Sequence, residues 1–469
     1  MKATTSCRPP FCRRAKGAVE GGTGEGGARR APHAHAPPLL PRPPQDTKVA
    51  IARGGDALTL INLNREAYPD ASFAADPSQA MPATHSWGSY FLAAYKGVAD
   101  YCAAKNIAFV PTGLRAVVHG TVPLGSGLSS SAALVCASAL AILAAHGLSP
   151  PKVDVATFCA ACERYVGTES GGMDQAASVL GVAGSALRVS FGVGGTTAVP
   201  VPLPPSCGFV IAHTLAESKK AETAAYHYNL RVVECRLAAA ALGAGLGLSA
   251  RDAGKLATLK DVEPFAMARY PGDATAACVA AVEALLKEAP YSAADVEAAV
   301  GAPVPDLLDH NRTQLKSVAV APDKGGFHLR ARALHVYREA ARVAAFAAAC
   351  ADAASGSLGG AAALARLATL MDASQASCRD LYDCSCPELD ELVAAAKAAG
   401  ACASRLTGAG WGGCTVSLVP AGTEAAFIEK VKASYYASRV ASGRVTAESL
   451  GDAIFATRPA AGGALLRLG

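Results

Sequence analysis

A glycine-serine loop between a strand pattern and a long apolar run constrains this chain more than any other stretch. It reads Pro123-Leu124-Gly125-Ser126-Gly127-Leu128-Ser129-Ser130-Ser131-Ala132-Ala133. Residues 114–120 before it predict a strand. Residues 132–145 after it are apolar apart from Ser138 and predict a buried helix, with Ser129, Ser130 and Ser131 as N-cap candidates. That run is shorter than the roughly 20 residues of a bilayer-spanning helix. Gly125 and Gly127 allow positive φ and close backbone approach, and the helix start offers unpaired N–H groups at the positive end of its dipole. An oligophosphate fits such a cradle. No Lys-Ser/Thr pair follows the glycines and their spacing is not G-x-G-x-x-G, so the loop is neither a Walker loop nor a dinucleotide fingerprint. The other use of the same residues is a turn capping a buried helix.

Around this unit the periodicity alternates between strand and helix. Residues 48–52 and 57–63 flank Gly54-Gly55 and predict a β-hairpin. Aromatic and aliphatic residues at helical spacing predict helices over 87–104, 153–165, 218–242, 329–351, 361–374 and 386–399, with short helices and loops over 243–325. Strands are expected at 186–191, 208–213, 404–406 and 415–419. Helices mixed with antiparallel strands in both halves point to an α+β fold. With 469 residues the chain is long enough for two lobes. Residues 1–44 hold eight prolines and a glycine cluster from Gly21 to Gly27 with almost no apolar period, and are read as disordered.

Charge argues against nucleic acid as a partner. The net +5 sits in residues 1–44, which carry eight Lys or Arg against two Glu; the remainder has 35 basic against 36 acidic residues. The Arg-rich, acid-poor start leaves an organelle transit peptide open. Fifteen scattered cysteines read as reduced thiols packed as small hydrophobes, which makes a cytoplasmic location the default. Cys159 and Cys162 have CxxC spacing but no second pair, so they read as structural, as do Cys378, Cys384 and Cys386.

Two further stretches carry chemistry. In Gly167-Thr168-Glu169-Ser170-Gly171-Gly172-Met173-Asp174-Gln175, a carboxylate follows two glycines that leave room for a substrate hydroxyl. Asp174 is therefore a candidate base; the alternative is a helix N-cap for residues 175–180. Arg405-Leu406-Thr407-Gly408-Ala409-Gly410-Trp411-Gly412-Gly413-Cys414 sets four glycines around one Trp, as a loop pressed on a ligand or another backbone, or as a tight hairpin.

Together the three stretches resemble the GHMP kinases. Gly-Gly-Met-Asp-Gln and Leu-Thr-Gly-Ala-Gly-Trp-Gly-Gly-Cys are similar to the galactokinase branch, and HYNLRVVECRL from His227, HVYREAARV from His335 and CRDLYDCSCPEL from Cys378 resemble the plant-type galactokinases and the related N-acetylgalactosamine kinases. The resemblance runs from about Gln45 to the C-terminus. It implies a two-lobed fold, with an N-terminal domain at 45–215, a C-terminal domain at 216–469 and an active site in the cleft between them. It implies ATP-dependent phosphorylation of galactose at the C1 hydroxyl by a monomer, using ATP and Mg²⁺, with neither nucleic acid nor membrane as partner. By the same resemblance, Pro123 and Gly125 to Ser131 bind the ATP phosphates, and Trp87 lines the adenine pocket. Ser131 and Glu163 hold Mg²⁺. Asp174 is the catalytic base, and Gly172, Asp174, Tyr226, Tyr228, Gly408 and Gly410 contact the sugar, the two tyrosines being undecided.

One family feature is absent. Galactokinases carry an early Gly-Arg-x-Asn-x-x-Gly-Glu-His-x-Asp-Tyr signature that supplies an Arg beside the base and groups for the sugar hydroxyls. Here the pattern resumes only at Gln45-Asp46-Thr47-Lys48-Val49, and His33 and His35 have no comparable context. The expectation is that a core strand and the sugar-reading groups are missing, through a start that is not the natural one or a catalytically impaired, sensor-like chain. N-acetylgalactosamine is the other sugar to test.

Overall fold

The computed structural model describes residues 2–7, 45–84, 86–123, 128–167, 171–192, 195–216, 223 and 225–468. Along the chain the strands are β1 (Lys2–Cys7), β2 (Thr47–Arg53), β3 (Ala57–Asn62), β4 (Ala71–Ala74), β5 (Leu114–Gly120), β6 (Ser185–Gly192), β7 (Gly195–Pro202), β8 (Cys207–His213), β9 (Ala403–Leu406), β10 (Cys414–Pro420), β11 (Ile454–Thr457) and β12 (Ala464–Leu468). The residues fall into two compact units. One lies within Met1–Val122, Ser131–Pro200 and Thr457–Gly469, the other within Pro123–Ser130 and Val201–Ala456.

The first unit is built on a sheet of order β12-β1-β2-β5-β3-β4. Alternate residues of its strands, Val49, Ile51, Leu58, Leu60, Leu114, Ala116 and Val118, are buried on one face, as the two-residue strand period dictates. That core also takes in Phe91 and Tyr95 of helix α1 (Trp87–Ala104), Val135 and Ile142 of α2 (Ser130–Ala145), Phe158 of α3 (Lys152–Cys162), and Ala176 and Val179 of α4 (Met173–Leu180). Burying each such aliphatic or aromatic side chain contributes about 1.5–3 kcal/mol.

Three expectations change. β2 and β3 do not pair as a hairpin, because β5 lies between them, antiparallel to β2 (Thr47↔Gly120) and parallel to β3 (Leu58↔Leu114). The turn that joins them rests on the start of β5. Gly54 N–H donates to Gly113 O at 2.9 Å, and a Cβ on Gly113 would lie 1.9 Å from Gly55 O. Second, Lys2–Cys7, inside the segment read as disordered, form β1 between β12 and β2 (Thr4↔Leu466, Thr4↔Ala50), so this sheet position is filled; residues 8–44 lie outside the described residues. Third, the division differs from a boundary at 215/216. β8 pairs with β10 (His213↔Cys414) in the second unit, and the C-terminus returns to the first.

The returning tail braces α4. Gly462 N–H donates to Gly181 O at 2.7 Å and Gly463 N–H to Ser178 O at 2.8 Å, at the end of the helix that starts with the Asp174 segment. A Cβ on Gly462 would lie 2.4 Å from Val179 O, so glycine is required for this approach.

The second unit holds a sheet of order β11-β8-β10-β9. Its principal helices are α5 (Tyr228–Gly245), α6 (Leu329–Ala354), α7 (Gly360–Asp380) and α8 (Pro387–Ala399), with short helices between residues 250 and 320. α6 packs on α5 and α7, and α7 packs on β9. Among the described residues no helix is long and apolar enough to cross a membrane.

Candidate active site

In the first unit the candidate base sits on the first turn of α4. Gly172, at φ 83°, is the N-cap of α4, so Asp174 is the second helical residue and not the cap. Its carboxylate is half-buried and makes no hydrogen bond or ion pair with any described residue; Met173 beside it is 58% exposed. Gln175, the next residue, points inward. It is wholly buried, and its Nε2 donates to Glu163 Oε1 at 2.8 Å. Glu163 is 2% exposed at the start of the turn Glu163–Val166, which Gly167 closes in the left-handed conformation. Burial, and then the Glu163 charge, push the Tyr90 phenol up.

Ser130 begins α2, and Ser129 before it has φ 59°, a left-handed backbone that non-glycine residues seldom adopt. Ser129, Ser130 and Ser131 are half-buried, as are Pro123 and Leu128; Gly125, Ser126 and Gly127 lie outside the described residues. Leu128 packs in a small cluster with Ile211, Cys414 and Phe455. Trp87 is the first residue of α1. Its indole N–H donates to Pro69 O at 2.7 Å, while Ser86 and Ser89 form a capping box around it.

In the second unit the loop from Thr407 to Cys414 joins β9 to β10. Gly408 (77°), Gly410 (87°), Trp411 (53°), Gly412 (129°) and Gly413 (81°) all take positive φ. Gly410 is pressed on the turn after α7: a Cβ there would lie 2.0 Å from Cys384 O, and Trp411 N–H donates to the same oxygen at 2.8 Å. The Trp411 ring stacks on His227, centroids 4.8 Å apart and planes 5° off parallel.

Beneath this loop is a cavity of about 250 Å³ lined by Tyr228, Arg231, His335, Glu339, Arg405 and Gly408, among others. The two tyrosines therefore separate: Tyr228 lines the cavity and Tyr226 does not, although each is 39% exposed. A buried ion network holds the wall. Glu234, fully buried, accepts from Arg332 Nε at 2.9 Å and His328 N–H at 2.8 Å and pairs with Arg231 Nε at 2.9 Å. Arg231 Nη1 donates to Asp383 Oδ2 at 3.1 Å. Burial, opposed by Glu234, holds the Arg231 guanidinium below its usual range. Glu339 accepts from Ser374, Arg342 and Arg405. Burial pushes Glu339 up, but those partners together bring it below the usual carboxylate range.

Sequence reasoning had no role for Gln175, Arg231, Glu234, His335, Glu339 or Arg405. Gln175 was legible only as the last letter of Gly-Gly-Met-Asp-Gln. Arg231 and Glu234 are three apart on one helix face, a spacing that surface ion pairs share.

Residues 89–182 match the GHMP kinases N terminal domain and residues 353–437 the GHMP kinases C terminal domain. The galactokinase of Dictyostelium discoideum is 36% identical over 414 residues, covering 84% of this chain and 79% of that protein. The Saccharomyces cerevisiae galactokinase is 36% identical over 431 residues, 82% of this chain and 78% of that protein. The chain belongs to the galactokinase family. Human galactokinase is 30% identical over 77% of this chain and 73% of its own length. Among solved structures, Lactococcus lactis galactokinase complexed with galactose shares the fold, with TM-score 0.60 and 22% identity over 89% of this chain and 86% of that one. The Gly-Gly-Met-Asp-Gln stretch lies inside the N-terminal match; the Gly408–Gly413 turns lie inside the C-terminal one.

Proposed function

We propose that this galactokinase-family chain transfers the γ-phosphoryl group of ATP to the C1 hydroxyl of galactose, with Asp174 as base. The observation that carries this reading is the Asp174 carboxylate, half-buried on the first turn of α4 directly after a left-handed glycine N-cap and unpartnered among the described residues. A carboxylate so placed can accept a hydroxyl proton once that oxygen comes within about 3 Å. Phosphoryl transfer passes through a loose transition state, so the proton moves late and catalysis rests on positioning and charge neutralisation.

The remaining roles follow the family pattern. Pro123 and Gly125 to Ser131 cradle the phosphates with backbone N–H groups at the start of α2. Trp87, its N–H already satisfied by Pro69, offers its ring to the adenine. Gly172, Gly408, Gly410 and one of Tyr226 and Tyr228 meet the sugar, and the cavity wall favours Tyr228. Ser131 and Glu163 offer the hard oxygen donors that suit Mg²⁺, and Gln175 fixes one Glu163 oxygen. Mg²⁺, when bound, neutralises charge on the phosphate oxygens. The thirteen free thiols found among the described residues accord with a reducing, cytoplasmic setting, and we assign the chain as a monomer.

Phosphorus NMR of the product from ATP and galactose tests this. An anomeric sugar phosphate is expected, with kcat/KM for N-acetylgalactosamine lower than for galactose; the reverse preference would reassign the sugar. The missing early signature favours a second reading, a chain that binds nucleotide without turnover, for which no sugar phosphate would form.

A further inference from the structure

Cys378 and Cys384 stand apart from the other thiols. Cys378 lies in the last turn of α7 and Cys384 in the turn that follows, and both line the 250 Å³ cavity. Cys384 N–H donates to Cys378 O at 3.0 Å, and its thiol reaches the same carbonyl at 3.5 Å. With standard bond lengths that hydrogen bond keeps the two Cα atoms within about 7 Å, at the outer reach of a disulfide. The Arg405 guanidinium lies 3.7 Å from Cys378 Sγ, the kind of cationic neighbour that favours a thiolate.

Among the described residues no other cysteine pair shows such an arginine contact; Cys159 and Cys162 share only the thiol-to-carbonyl hydrogen bond, at 3.3 Å. Burial raises Cys414 above the ordinary range, Cys350 to about 11 and Cys235 to about 12. The Cys378 thiol is instead lowered, through the hydrogen bond with the Cys384 thiol first and the Arg405 charge after it, against the effect of burial. Cys384 is pushed up by the same pairing. One sulfur is set up to attack and its neighbour to resolve. The cavity is several times the roughly 30 Å³ share of one water, which leaves room for a small oxidant.

We propose that Cys378 and Cys384 are a peroxide-reactive dithiol whose disulfide pins the turn on which the loop from Thr407 to Cys414 rests. The Cys378 thiolate attacks one oxygen of hydrogen peroxide; the O–O bond breaks, the departing hydroxide is protonated to water, and Cys378 becomes a sulfenic acid. The Cys384 sulfur then attacks the Cys378 sulfur, the S–O bond breaks, and the hydroxide leaves with the Cys384 proton as a second water. The thiols lose two electrons and the peroxide gains them. Because Cys384 O holds Trp411 N–H and seats Gly410, the bond forms where the glycine loop is anchored. The proposal does not depend on the kinase reading.

The test treats the reduced full-length chain at pH 7 with near-equimolar hydrogen peroxide, blocks remaining thiols with iodoacetamide and maps the tryptic peptides by mass. Cleavage after Arg379 separates the two cysteines, so a linked peptide pair that dithiothreitol splits is the expected product. Held towards the thiolate by Cys384 and Arg405, Cys378 should react about tenfold faster than any other cysteine. Cys384→Ser should stop at a sulfenic acid on Cys378 that dimedone traps, and Cys378→Ser should give no cross-link. Both residues remaining alkylatable in the wild-type chain, or other cysteines oxidising first, would overturn the proposal whether or not the variants fold.

Discussion

Gly410→Ala should damage the second unit far more than Gly400→Ala, although both glycines have left-handed backbones. Gly400, at φ 107°, ends α8 with nothing within 4 Å of where a Cβ would sit. Alanine there costs only its conformational strain, about 1–2 kcal/mol. Gly410, at φ 87°, would place its Cβ 2.0 Å from Cys384 O and 3.1 Å from Cys384 Cβ. That oxygen is backbone, so relief requires moving the turn after α7. Overpacking of this kind costs about 1–3 kcal/mol, and losing the Trp411 N–H to Cys384 O bond costs about 1 kcal/mol more. The sum is about 3–6 kcal/mol. At about 2 °C per kcal/mol for a unit of this size, Gly400→Ala should lower the melting temperature by about 2–4 °C and Gly410→Ala by about 6–12 °C. Differential scanning calorimetry on the two variants and wild type reads this directly, with tryptophan fluorescence following the Trp411–His227 stack. Equal shifts, or a smaller one for Gly410→Ala, would refute the reasoning that loop and turn are in rigid contact.

Glu234→Ala should destabilise the chain by about 3–5 kcal/mol in urea titrations, because it leaves the buried Arg231 and Arg332 without their buried carboxylate and with only the exposed Asp383 as acidic partner; a loss under 1 kcal/mol would show the network to be solvated. Burial holds His335 at about 4 against an ordinary 6.5, so its neutral form contributes stability above pH 6.5 that is lost as pH falls from 6.5 towards 4, about 3 kcal/mol in all. In His335→Gln the urea midpoint should fall less steeply over that window, and an unchanged slope would reject the assignment. Glu163→Gln should raise the Mg²⁺ concentration for half-maximal velocity about tenfold with little change in melting temperature; an unaltered Mg²⁺ dependence would remove Glu163 from the metal site.

Local pattern made much of the fold legible. Periodicity and apolar runs placed α1, α3, β5, β8, α8 and β10 within a few residues: β5 buries alternate residues, whereas β8 and β10 are apolar runs buried on both faces. It failed where partners are distant in sequence. Gly54-Gly55 looks like a hairpin turn, yet β5 inserts between β2 and β3, as its ladders with both strands and the close approach of Gly113 to Gly55 O record. β1 was invisible because Lys2–Cys7 carry no strong apolar alternation and owe their place to two neighbouring strands. At the site, the glycine words marked Asp174 and the Gly408–Gly413 turns. The buried polar partners Gln175, Arg231, Glu234 and Glu339 had no visible role, since polar and charged residues on helices look alike whether solvated or buried until the packing is known.

The most direct measurement is ADP release with Mg-ATP and galactose by the wild-type chain and by Asp174→Asn, alongside a nucleotide-binding titration of both. Galactose-dependent turnover in the wild type that falls at least about a hundredfold in the variant, with nucleotide binding retained, is the predicted result. Turnover undiminished in Asp174→Asn, or none in the wild type with any sugar while nucleotide still binds, would contradict it.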